Sequence, residues 1–109
     1  MTTVALLERT QEFLNATVPG ARDPNAQVHQ LIEFESLRRL GRYRRTDLTL
    51  ARKYEMSFAE FVARRIPRQK DYSWEVEQDA MDWETAIGGI ATMERQLRQL
   101  RGGNGERAA

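Results

Sequence analysis

The stretch from Asp71 to Arg101, DYSWEVEQDAMDWETAIGGIATMERQLRQLR, constrains the fold more than any other part of the chain. Its apolar residues Val76, Ala80, Trp83, Ile87, Ile90 and Leu97 recur at steps of three, four and seven, which stacks them on one face of a long helix. The same stretch begins acidic, with Glu75, Glu77 and Asp79, and ends basic, with Arg95, Arg98 and Arg101. The helix dipole favours that order. Within it, Gly88-Gly89 costs roughly 1 kcal/mol per glycine relative to alanine. The pair therefore marks either the close approach of another helix or a local weak point.

Three further helices are predicted upstream. Leu6, Leu7, Phe13 and Leu14 share helical spacing over about residues 3–16, with Thr2 or Thr3 as N-cap, until Pro19-Gly20 ends the pattern. Asp23 followed by Pro24 is a helix start, because the carboxylate caps free amides and proline's missing N–H costs nothing at the first position. The helix from 24 to 54 changes its apolar direction along its length. Val28, Leu31 and Phe34 point one way, and Leu37, Leu40, Tyr43, Leu50, Ala51 and Tyr54 the other, so the segment either breaks near Ser36 or meets different neighbours with its two halves. One long helix is the preferred reading. Ser57 and Glu60 form an S-x-x-E capping box opening a short helix over 57–65, which buries Phe58, Phe61 and Val62 and stops at Pro67.

The expected fold is all-α: an antiparallel helical hairpin or bundle of two long helices plus short ones. The last helix, at 74–100, packs Trp83, Ile87 and Ile90 on Leu40, Leu50 and Tyr54. Residues 1–101 form one domain and GGNGERAA, from residue 102, a flexible tail. A chain of 109 residues with 40% apolar and 30% charged residues has a thin core, and thin seams on long helices point to a homodimer. The absence of cysteine removes disulfides and thiolate chemistry. With no membrane-length apolar run and no signal-like N-terminus, the expected location is cytoplasmic.

Chemistry is sparse. His29 is the single histidine, with no second histidine or cysteine for a metal and no serine partner for a triad, so it reads as a helix-surface residue. The Glu-x-x-His pairs of di-metal bundles and phosphate-cradling glycine loops are absent. No enzyme activity, cofactor or metal is expected.

Charge is segregated instead. Residues 31–70 carry eleven Lys and Arg against five acids, and residues 71–92 carry six acids and no base. Arg38, Arg42, Arg45 and Arg52 line one side of the second helix, either as a phosphate-contacting ridge or as the solvated face any amphipathic helix has. Weak nucleic-acid contact is the most that such a ridge, without a base-reading motif, would give. On the last helix, Trp74 and Met81 lie seven residues apart, opposite Trp83 and Ile87 and flanked by Glu77 and Glu84. That is the composition of a partner-binding patch, an anchor rimmed by acid. The alternative has Trp74 folded over the core as a lid.

The run from Leu40 to Phe61, with its arginine-rich helix, Lys53-Tyr54 and Met56-Ser57-x-x-Glu60-Phe61, followed by Glu75-Val76-Glu77-x-Asp79 and Trp83-Glu84, resembles small bacterial and archaeal helical proteins encoded beside candidate toxins. The resemblance covers about residues 37–90. It departs from that pattern at Glu55, where a helix-ending glycine is usual. It implies an antitoxin-like protein, and with the charge pattern the first reading is an antitoxin or inhibitor that occludes a basic protein partner with the acidic half of its last helix. Glu75, Glu77, Asp79, Asp82 and Glu84 would steer association, and Trp74, Met81 or Trp83 would anchor it. The competing reading is a self-associating scaffold or adaptor whose apolar stripe makes a symmetric, coiled-coil-like homodimer.

Overall fold

The computed structural model describes residues 5–21 and 23–108, with backbone alone from residue 103 onward. Five helices follow one another and no strand occurs among the described residues: α1 (Glu8–Thr17), α2 (Pro24–Tyr54), α3 (Phe58–Ala63), α4 (Ile66–Gln69) and α5 (Trp74–Ala108). The chain is therefore all-α. It is also elongated, 57 × 34 × 21 Å, with a radius of gyration of 19.8 Å, where a compact chain of this length would have about 13 Å.

Two helices set that shape. From one end to the other, Arg101 pairs with Glu33, Glu94 with Arg44, and Asp79 with Lys53. Residue numbers fall on α5 as they rise on α2, so the two run antiparallel. The core between them has two parts. At one end Leu50, Phe61, Ile66, Val76 and Trp83 form a cluster roofed by α3 and α4. Toward the other end Leu40, Met93 and Leu97 form a second, smaller buried cluster, with Tyr43, Ile90 and Leu100 partly covered. α3 and α4 do not reach this end, and Phe34 and Leu37 stay 53% and 42% exposed.

The helix starts follow local chemistry. Asp23 accepts from the Ala26 amide at 3.0 Å with Pro24 in the first turn of α2, and Ser57 Oγ accepts from the Glu60 amide at 3.2 Å. Ser73 Oγ receives the Val76 amide at the start of α5. α2 runs unbroken through Ser36 because that hydroxyl is fully satisfied in the interface, donating to Ile32 O at 2.8 Å and accepting from Gln96 Nε2 at 2.7 Å.

Several expectations are corrected. α1 begins at Glu8 rather than near residue 3; Leu7 occupies its N-cap and has no side-chain oxygen to offer. Thr2 and Thr3 lie outside the described residues. Of the apolar residues expected on its buried face, Leu14 is buried, whereas Leu7 and Phe13 are exposed. α1 is instead fastened by a polar residue. Gln27, buried on α2, donates to Asn15 Oδ1 at 2.9 Å and accepts from Gln11 Nε2 at 2.9 Å. Val62 is 56% exposed, because the short α3 presents only its Phe58 and Phe61 side to the cluster. Pro67 does not end structure: it sits in the first turn of α4, where proline is tolerated. α5 continues as helix to Ala108 through the segment expected as a tail; glycine weakens a helix without forbidding it, and no proline intervenes.

α2 ends on Glu55 in left-handed backbone (φ 55°, ψ 41°), and the Met56 amide reaches back to Ala51 O at 3.1 Å. This is the closure that normally uses glycine, since a side chain there meets the following carbonyl. Glu55→Gly is therefore expected to stabilise the protein by about 0.5–1 kcal/mol. A lower urea midpoint for this variant than for the parent would contradict the strain.

Candidate functional site

The acidic start of α5 divides into an inner and an outer side. On the inner side Trp83 is fully buried, its ring 5.0 Å from Phe61, 5.5 Å from Phe58 and 6.0 Å from Tyr54, and its Nε1–H donates to Asp47 Oδ1 at 2.8 Å. This residue, expected among the partner contacts, is the centre of the core, because the stripe that includes Val76 and Ile87 turns it toward α2. Asp79 also faces inward, with its side chain 16% exposed. Its carboxylate accepts from Lys53 Nζ at 2.6 Å and Tyr54 Oη at 2.6 Å. Glu75 joins the same group, accepting from Lys53 at 2.8 Å.

Titration of this group follows from its surroundings. Burial alone would raise the Asp79 pKa, but the Lys53 and Tyr54 hydrogen bonds outweigh it and hold the carboxyl below its usual range. Lys53 is raised, first by Asp79 and then by Glu75. Burial, then the bond to Asp79, pushes Tyr54 up to about 12. The signs give a stability window. Lys53 and Tyr54 have raised folded values, so their contribution is complete below their ordinary values of 10.5 and 10.0 and is lost as pH rises through the folded ones. Asp79 is depressed, so its contribution is complete above 3.8 and lost as pH falls through the folded value. Urea midpoints should thus decline on the alkaline side, and Tyr54→Phe should make that decline shallower. An unchanged alkaline slope in Tyr54→Phe would show that the phenol does not take part.

The outer side of α5 is built differently. Trp74 is 79% exposed and Met81 62% exposed. Trp74 is therefore not a lid. Glu77 and Glu84 flank the two on the same face and are exposed, and neither enters an ion pair among the described residues. Asp82 lies toward one flank, accepting from Gln78 at 3.0 Å and bordering a shallow groove with Arg42, Arg45 and Thr46. Of the eight residues expected to meet a partner, Trp74, Glu77, Met81 and Glu84 thus share one open face. Trp83 and Asp79 lie inside, and Glu75 and Asp82 lie beside the α2 contact.

The arginine ridge keeps its expected exposure on the outer side of α2, but two members are engaged. Arg38 donates to Glu35 through Nε and Nη2, both at 2.8 Å, and Arg42 lies over the Tyr43 ring at 5.5 Å. Hydrogen bonds from Arg38 and Arg39 hold the Glu35 carboxyl down at about 2. His29 is not a free surface residue, since Nε2 lies 3.1 Å from Leu100 O, as donor, and ties the two long helices together. Among the described residues no three histidine or carboxylate side chains converge as a metal site, and no helix is long and apolar enough to cross a membrane.

Gln27, Ser36 and Asp47 were missed by sequence reasoning. Each is polar on a helix, and only the position of Ser36 and Asp47 on the same side as Leu40, Leu50 and Tyr54 hinted at contact with α5. Comparison with known proteins returns no match among family models, curated proteins or solved structures.

Proposed function

We propose that this chain is a non-enzymatic, cytoplasmic protein–protein interaction module of the antitoxin or inhibitor type, in which the α2–α5 hairpin is a rigid mount and the outer face of α5 is the docking surface. The observation that carries the reading is Trp74, 79% exposed beside Met81 on a helix whose opposite face is locked into the core. Large aromatic and methionine side chains held in the open on a rigid helix suit a desolvated anchor. Glu77 and Glu84 alongside them select a partner surface that is basic, and the action is occlusion of that surface.

The test is co-expression with the product of a neighbouring gene and measurement of both rate constants. Glu77→Lys with Glu84→Lys is expected to slow association and flatten its salt dependence, because rim charges act on encounter. Trp74→Ala is expected to speed dissociation, at a truncation cost of about 2 kcal/mol. A complex whose kinetics ignore both changes would remove the outer face of α5 from the mechanism. Nucleic acid remains a lesser reading: Arg45 and Arg52 are exposed on the ridge, but Arg38 already serves Glu35.

A further inference from the structure

The outer face of α5 also contains the basic surface that its own acidic half would select. From Trp74 the face runs in steps of seven through Met81 and Gly88 to Arg95, and all four are exposed. Its charges are ordered, with Glu77 and Glu84 before Gly88 and Arg95 and Arg98 after it. None of these four charges makes an ion pair within the chain among the described residues. The inward-turned charges of the same helix do find partners: Glu75 and Asp79 take Lys53, Glu94 takes Arg44, and Arg101 takes Glu33.

Gly88 adds a second feature. A Cβ built there meets nothing within 4 Å, so no contact inside the chain requires glycine, although glycine in mid-helix costs roughly 1 kcal/mol. A bare backbone at that point lets another helix approach closely.

We infer that two copies of this chain pair through the outer faces of α5, antiparallel, with the two-fold axis crossing at Gly88. This rests on the docking face proposed above and names its partner as a second copy. In this register Glu77 lies within about one helical turn of Arg98 of the second copy, and Glu84 within about one turn of its Arg95. The two-fold repeats both contacts, so four charge pairs form across one interface. Trp74 falls at the level of Gly102 of the second copy, where a Cβ would again meet nothing within 4 Å and an indole has room. A parallel arrangement would set glutamate beside glutamate. The antiparallel contact is isologous and closes at two subunits.

The experiment is sedimentation of the full chain from low to high micromolar concentration, at low and high salt. The parent is expected to pass reversibly from monomer to dimer, with weaker pairing in salt. Glu77→Arg with Glu84→Arg, and separately Arg95→Glu with Arg98→Glu, should each weaken pairing by roughly tenfold or more. Thermal stability at low concentration should change little, since all four side chains are exposed and unpaired and only Glu77, in the first turn of α5, loses a favourable contact with the helix dipole. Mixing the two variants in equal amounts restores complementarity and should regenerate a one-to-one dimer. A parent that stays monomeric at high micromolar concentration overturns the pairing, as does a dimer indifferent to both reversals. Those results leave the docking reading to its own kinetic assay, because a monomer can still hold a foreign basic partner through Trp74.

Discussion

Trp83→Ala is expected to cost about 3–5 kcal/mol, the range for emptying a large aromatic site in a core. That is a large share of the roughly 5–15 kcal/mol by which domains are stable, and it should lower the melting temperature by about 12 °C or more. The reason lies in how many elements meet at this ring. Tyr54 from α2 and Phe58 and Phe61 from α3 all border it, and Val76 from α5 shares its cluster, so the ring ties α3 to both long helices. Trp83→Phe should fall between parent and alanine, since it keeps most of the apolar volume but leaves Asp47 without the indole N–H at 2.8 Å. Trp74→Ala is the control. With 79% of its surface already exposed it should move stability by no more than about 0.5 kcal/mol. Equal losses for the two alanine variants in urea titrations would mean that the assignment of one tryptophan to the core and the other to the surface is wrong.

The contrast between these tryptophans also marks how far the sequence could be read. Periodicity was sufficient for the inner face of α5, because Val76, Trp83 and Leu97 keep helical spacing and are buried together with the α2 residues Leu40 and Leu50. It was sufficient for the helix starts at Asp23 and Ser57, whose chemistry is local. It failed where a position is decided by what lies across from it. Leu7 and Phe13 have helical spacing and stay exposed because α1 touches α2 over only a short length, and Val62 stays exposed because nothing covers the outer side of α3. The buried polar residues failed in the opposite sense. Gln27 looks like a solvent-facing helix residue and Ser36 like a break in α2, yet each is buried and bonded from another element, by Gln11 and Asn15 in one case and Gln96 in the other. For the candidate site, the patch of Trp74, Met81, Glu77 and Glu84 was legible from a spacing of seven. The division of the remaining acids between α2 and solvent was not, because Asp79 faces inward only once Lys53 and Tyr54 are seen beside it.

Gly88 and Gly89 are adjacent and identical in sequence, and alanine at the two positions is expected to have effects of opposite sign. At Gly88 a methyl group meets nothing, so alanine should contribute its helix propensity and stabilise the protein by about 0.5–1 kcal/mol. At Gly89 the new Cβ would stand 2.7 Å from Tyr43 Cζ and closer still to Cδ2 and Cε2. The ring cannot swing away freely, because Tyr43 packs against the thin cluster of Leu40, Met93 and Leu97 that holds this half of the helix pair together. Overpacking of this kind costs about 1–3 kcal/mol, which exceeds the propensity gain, so Gly89→Ala should destabilise by about 1–2 kcal/mol. A double-mutant cycle isolates the cause. In a Tyr43→Ala background the clash disappears, and Gly89→Ala should then become neutral or stabilising, as Gly88→Ala is in the parent. The measurements belong at low protein concentration, where pairing between copies does not add to stability. If Gly89→Ala stabilises the parent chain as much as Gly88→Ala does, Tyr43 does not lie against the backbone of α5, and the close approach of the two long helices at that level is wrong.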